Sequence, residues 1–160
     1  MFAFRNTTRM AWRTNWILCG GLVNTDVILI IDDSKFIAQA YSKVLMGLGY
    51  RVLIACDGKT GIFAAESCNP SLVLLDMLMP DMDGAEVLRT LKRTPSTANI
   101  PVLAISSMSE KNAKKLIEEG AAGYFEKGSM THEKLENAIS GILKKRLLVP
   151  DREEKLTTEL

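Results

Sequence analysis

The chain has 160 residues, 47% of them hydrophobic and 24% charged, with a formal net charge of +1. That suits one domain with its own core and some tail, and the balanced charge gives no reason to expect nucleic acid or an anionic membrane as a partner. Cys19, Cys56 and Cys68 are too few and too scattered for a disulfide framework or a zinc site, so Cys56 and Cys68 read as small buried hydrophobes in a reducing, cytoplasmic compartment.

Residues 1–25 stand apart. Arg5, Arg9 and Arg13 precede a short apolar run, Trp16 to Val23, which contains Cys19, Gly20 and Gly21. The run resembles a signal peptide a little, but it falls far short of the roughly 20 apolar residues of a membrane span. A disordered leader ahead of the domain is expected here.

From residue 26 the pattern alternates. Val27 to Ile31 is an unbroken apolar run ending in Asp32-Asp33, the pattern of a strand buried on both faces. Ser34 to Leu48 has helical spacing, with Gly49 as the residue that ends it. Tyr50 to Ala55 reads as a second strand, and Asp57 as the cap of a helix closed by Asn69-Pro70. Leu72 to Leu75 is a third strand that ends at Asp76. A loop with Pro80 follows, and Asp83-Gly84-Ala85-Glu86 has the form of a capping box opening the third helix. Pro101 to Ile105 is the fourth strand, ending at Ser106. Ser109 can cap a fourth helix that runs to Gly120. Gly123 to Glu126 is a short fifth strand that delivers Lys127. The last helix starts near Thr131, Pro150 stops it, and residues 149–160 read as a frayed polar tail.

Five strands alternating with five helices predict an α/β fold, a parallel sheet with helices on both faces, over residues 26–148. In such sheets the working site lies at the carboxyl ends of the strands. Four strand ends deliver chemistry to that rim: Asp32-Asp33, Asp76, Ser106 and Lys127. One acid after a strand is commonplace, whereas four matching ends are hard to obtain by chance. Three neighbouring carboxylates resist ionising together unless a cation sits among them, and hard oxygens suit Mg²⁺. Such an ion would bridge Asp33, Asp76 and a phosphate oxygen, with Asp76 as nucleophile toward phosphorus. Lys127 and the Ser106 hydroxyl can hold further phosphoryl oxygens.

Asp32-Asp33-Ser34, the stretch Leu75-Asp76-Met77-Leu78-Met79-Pro80-Asp81-Met82-Asp83-Gly84, Ser106 after its strand, and Gly123-Tyr124-Phe125-Glu126-Lys127 together resemble the response-regulator receiver family of two-component signal transduction, over about residues 26 to 147. The resemblance implies a flavodoxin-like strand order of 2-1-3-4-5. It implies Asp76 as the phospho-acceptor, Asp33 as direct metal ligand and Asp32 as a ligand through water. It further implies the Leu78 backbone carbonyl as a metal ligand, Ser106 and Tyr124 as switch residues, and Lys127 as the phosphate-binding lysine. The implied partners are a sensor histidine kinase or histidine phosphotransfer protein upstream and a protein target or output domain downstream, acting through a monomer or a phosphorylation-dependent dimer. One departure stands out: the family usually has proline after the lysine, and this chain has Gly128. Leu78 and Met108 match positions beside the path of the hydrolytic water; both are apolar, which predicts slow self-dephosphorylation.

Other readings fit less well. A haloacid-dehalogenase-type phosphatase also uses an aspartate after a strand, but it needs a second acid two residues on, where this chain has Leu78. No Gly-rich phosphate loop follows the first strand, which argues against nucleotide binding. A degenerate receiver acting by protein contact alone remains an alternative because of Gly128. Met77, Met79 and Met82 read as packing rather than as a soft-metal site, His132 as a surface residue, and Lys144-Lys145-Arg146 as cations meeting the last helix's dipole. The residues after Pro150 are too few for an output module, which fits either a stand-alone receiver or one taken from a longer regulator.

Overall fold

Each apolar run of the sequence is a strand in the computed structural model, which describes residues 26–107, 113–129 and 131–148. The strands are β1 (Val27–Ile31), β2 (Arg51–Ala55), β3 (Leu72–Asp76), β4 (Val102–Ser106) and β5 (Gly123–Glu126). The helices are α1 (Lys35–Gly47), α2 (Gly58–Cys68), α3 (Gly84–Arg93), α4 (Ala113–Glu118) and α5 (His132–Leu148). All strand pairings are parallel, in the order β2-β1-β3-β4-β5. The leader, Met108, Ser109 with its expected cap, and the tail fall outside the described residues.

Alternation along the strands divides the core in two. Leu29, Ile31, Val73 and Leu75 face α2, α3 and α4, meeting Ala65, Leu88, Leu91 and Leu116. Ile28, Ile30, Leu72 and Leu74 face α1 and α5, meeting Ala38, Leu45, Leu135 and Ile139. β3 and β4 are buried at every position. Each such Leu, Ile or Val contributes about 1.5–3 kcal/mol by leaving water. Met77 and Met79 are buried in the first cluster and Met82 packs against it, as their reading as packing residues requires.

Short polar residues set the helix starts. Ser34 Oγ accepts from the Ile37 amide at 3.4 Å and Asp57 Oδ1 from the Thr60 amide at 2.8 Å. The third cap differs from expectation. Asp83 Oδ1 accepts from Ala85, the second amide of α3, rather than from the Glu86 amide that a capping box engages. The Glu86 amide instead meets the Asp83 backbone carbonyl at 2.8 Å. The cysteines also depart from expectation: Cys56 and Cys68 are both exposed. Cys56 follows the edge strand β2, and Cys68 is the last residue of α2, so neither reaches the core.

The amino end of the sheet carries a polar knot between α3 and β4. Thr97 is fully buried, and its hydroxyl donates to the Leu91 carbonyl at 2.7 Å. Half-buried Lys92 donates to the carbonyls of Ala98 at 3.1 Å and Ile100 at 2.6 Å. These bonds hold the 94–101 loop against the sheet without any carboxylate.

Candidate phospho-acceptor site

The carboxyl end gathers the acids. Asp32 is the first residue past β1, and its amide donates to the Ala55 carbonyl of β2. Asp76 is the last residue of β3, and the next amide, Met77, donates to the Ile105 carbonyl of β4. The sheet register thus fixes both backbones. Each carboxylate is then divided between two jobs. Asp32 Oδ1 accepts from the Ser34 amide at 2.9 Å, and Asp76 Oδ1 from the Leu78 amide at 3.1 Å. These are local turns in which an aspartate bonds the backbone two residues on. The second oxygens face Lys127, whose Nζ lies 2.7 Å from Asp76 Oδ2 and 3.3 Å from Asp32 Oδ2.

Asp32 and Asp76 are almost wholly buried, at 2% and 3% exposure, while Asp33 stands exposed at the mouth. Burial pushes the Asp32 carboxyl above the usual carboxylate range; the Ser34 amide and the Lys127 charge offset this only in part, and the Asp76 charge adds to it. For Lys127 burial works against the ammonium, but the hydrogen bond and charge of Asp76, then those of Asp32, outweigh it and raise its pKa. Carboxylate oxygens of Asp32, Asp33 and Asp76 all lie within 4.8 Å of one another. Two buried acids that share one ammonium, with a third acid open to solvent, form a hard-oxygen set that suits a divalent cation of the Mg²⁺ type.

The neighbouring strands bring up the rest. Ser106 is buried at 1% exposure on β4, one position past the Ile105 that pairs with Asp76. Tyr124 is half-buried on β5, opposite Ala104, and packs against the α2–α3–α4 side of the core. The Leu78 side chain is 46% exposed beside Asp76. Lys127 opens a short 3₁₀ turn, Lys127–Ser129, and no peptide bond among the described residues is cis, so Gly128 follows the lysine in trans. His132 is exposed, as expected.

Gly84 explains itself in this geometry. A Cβ there would lie 2.5 Å from the Asp76 carbonyl oxygen and 2.5 Å from Met77 Cα. Only glycine lets the first residue of α3 rest on the backbone of the Asp76 turn. One residue near the site escaped the sequence reading: Tyr41 of α1. Its half-buried ring lies within electrostatic reach of Lys127, Asp32 and Asp76, and burial first of all pushes its phenol up. Its helical spacing marks it only as a core-side residue.

A family model for the response regulator receiver domain matches residues 28–140. The chain belongs to this family. The receiver is 34% identical over 113 residues to a gliding motility regulatory protein of Myxococcus xanthus, a match covering 70% of this chain and 14% of that protein. It is 35% identical over 101 residues to the response regulator PleD of Caulobacter vibrioides, covering 62% of this chain and 22% of PleD. The receiver therefore spans less than a quarter of the length of either relative. Among solved structures it resembles a receiver domain protein from Clostridium thermocellum, with a TM-score of 0.69 and 32% identity over 78% of this chain and 99% of that one. It also resembles a CheY-like receiver from Methanospirillum hungatei, with a TM-score of 0.72 and 25% identity over 78% of this chain and 98% of that one. Members of the family are signalling modules of two-component systems. Among the described residues, no helix of the receiver is long and apolar enough to cross a membrane.

Proposed function

We propose that the receiver accepts a phosphoryl group on Asp76 from a phosphohistidine of a sensor kinase or phosphotransfer protein, in a Mg²⁺-dependent reaction in a reducing, cytoplasmic compartment. The observation that carries this reading is the Lys127 ammonium poised between the second oxygens of Asp76 and Asp32. Asp76 Oδ1 is held by the Leu78 amide, so Oδ2 is the oxygen presented for attack. Its lone pair forms the new O–P bond, and the P–N bond to the donor imidazole breaks with its electrons leaving on nitrogen. Lys127 then exchanges part of its pairing with Asp76 for a phosphoryl oxygen, and the Ser106 hydroxyl supplies a further donor. Asp33 and Asp76, the Leu78 carbonyl, and Asp32 through water would hold the metal. When bound, Mg²⁺ supplies positive charge against the phosphoryl oxygens.

The new charge biases two arrangements of the chain around Ser106 and Tyr124 and so changes the face that α4, β5 and α5 offer to a protein target. The Leu78 side chain offers no polar group to orient water at Asp76, which supports a phospho-form lasting minutes or longer. Decay within seconds counts against that lifetime.

The test is incubation with acetyl phosphate and Mg²⁺, read by intact mass. A single phosphoryl gain, absent in Asp76→Asn and absent without Mg²⁺, supports the reading. No gain in folded protein that binds Mg²⁺ overturns it in favour of a receiver that works by protein contact alone.

A further inference from the structure

Strand β2 forms one edge of the sheet, and among the described residues no strand pairs with its outer side. The Arg51 amide donates to the Asp26 carbonyl, and the Ala55 carbonyl accepts from the Asp32 amide, so residues 51 and 55 turn their backbone groups toward β1. By alternation, the N–H and C=O groups of Val52 and Ile54 point out of the sheet. The side chains are open as well: Leu53 is 36% and Ile54 42% exposed. Successive strand residues point to opposite faces, so α1 and α2 each leave one of the two uncovered. A helix laid on the sheet could cover one face only. An added strand carries side chains on both faces and pairs with Val52 and Ile54 at the same time. Edge strands are commonly guarded by charge, proline or a bulge. In β2 the one charge is Arg51 at its start, and the register with β1 runs unbroken.

One segment of the chain arrives beside this edge. The apolar run from Trp16 to Val23 carries no charge and is joined to β1 by Asn24, Thr25 and Asp26. Asp26 is fixed in line with β1, by its carbonyl bond to Arg51 and by the Ser71 hydroxyl, which donates to Asp26 Oδ1 at 2.7 Å. Three extended residues span about 10 Å, and two strand spacings, from β1 across β2 to its far side, are also about 10 Å. The linker therefore just reaches. Because it crosses at the amino end of the sheet, the run must lie antiparallel to β2.

We propose that residues 16–23 dock on the outer edge of β2 as a sixth, antiparallel strand. Gly20 and Gly21 allow its backbone to approach closely beside Leu53 and Ile54. The short linker sets the register: Val23 comes to rest beside Arg51, and four residues earlier Cys19 comes beside Ala55, next to Cys56. A three-residue tether holds the segment at the edge at an effective concentration on the order of millimolar, which favours it over a second copy of the chain.

The native cysteines test this without reference to phosphorylation. Cys56 and Cys68 are both exposed, and they flank α2, about 16 Å of helix apart. The full chain, at low concentration, is treated with a short bis-maleimide and mapped by peptide mass spectrometry. Within one chain, Cys19–Cys56 bridging is expected to exceed Cys19–Cys68 bridging about tenfold or more, and the two should become comparable in urea. Ile54→Lys puts a charge on the edge and should bring Cys19–Cys56 bridging down to the Cys19–Cys68 level, with helical circular dichroism unchanged. Equal bridging to both cysteines in the folded wild type, or no bridging at all, overturns the proposal. So does full Cys19–Cys56 bridging in folded Ile54→Lys, because the segment would then rest elsewhere. Cys56–Cys56 bridging between chains also overturns it, since a second copy would then occupy the edge.

Discussion

The sheet half-buries a lysine near each of its ends, and the two are handled in opposite ways. At the amino end, the partners of Lys92 among the described residues are neutral, the Ala98 and Ile100 carbonyls, and burial holds its pKa down. At the carboxyl end, burial likewise opposes the charge on Lys127, but Asp76 and Asp32 override it and hold its pKa up. The amino-end knot is satisfied within itself and fastens a loop. The carboxyl-end cluster has a hydrogen bond on every oxygen of its two buried acids but an unbalanced charge, since one ammonium serves both acids and Asp33 adds a third. Polar groups that are fully paired stabilise a fold, whereas charges left short of partners are free to meet a ligand.

Substitutions at the two lysines should separate along that line. Lys127→Ala should slow phosphorylation by acetyl phosphate about a hundredfold or more while the protein stays folded, measured by intact mass against time. Lys92→Ala should do the reverse. It strands two carbonyls and should cost about 1–3 kcal/mol in urea unfolding, with the phosphorylation rate unchanged. A slow rate in the Lys92 variant would break the comparison. Thr97→Val removes the bond to the Leu91 carbonyl and should cost about 1 kcal/mol, again without effect on rate.

The lysines should also differ in their response to alkali. The pairings of Lys127 contribute fully below its ordinary pKa of 10.5 and are lost as pH rises through the higher folded value. For Lys92 the fold disfavours the ammonium, so stability rises as pH climbs through its lowered folded value toward 10.5. Unfolding of Lys127→Met and Lys92→Met, each against wild type from pH 8 to 11, should show differences of opposite slope. The smallest effect is expected at Asp32, whose raised pKa means that its charge is disfavoured in the fold: Asp32→Asn should raise the melting temperature of metal-free protein at neutral pH.

The contrast between the two ends also decides what could be read from the chain alone. The carboxyl-end residues were legible because each follows an apolar strand, and a parallel sheet brings all strand ends to one rim. Asp32, Asp76, Ser106 and Lys127 stand where that rule puts them. Thr97 and Lys92 were not legible, because their partners are loop carbonyls that carry no sequence signature. Cys56 and Cys68 misled for a related reason: their small size suggests burial, but their places at the edge strand and at a helix end decide otherwise. Tyr41 looked like any core-facing helix residue, since only the fold brings it within electrostatic reach of Asp32, Asp76 and Lys127.

The separation of the site residues along the chain has a kinetic consequence. Lys127 meets Asp76 across 51 residues and Asp32 across 95, so the cluster exists only once β1, β3, β4 and β5 have all found their register. Contacts so distant in sequence close late, because the loops between them must first lose their entropy. During refolding, competence to take a phosphoryl group should therefore rise with the last tertiary signal and lag behind helix formation, which makes the site a reporter of the finished sheet.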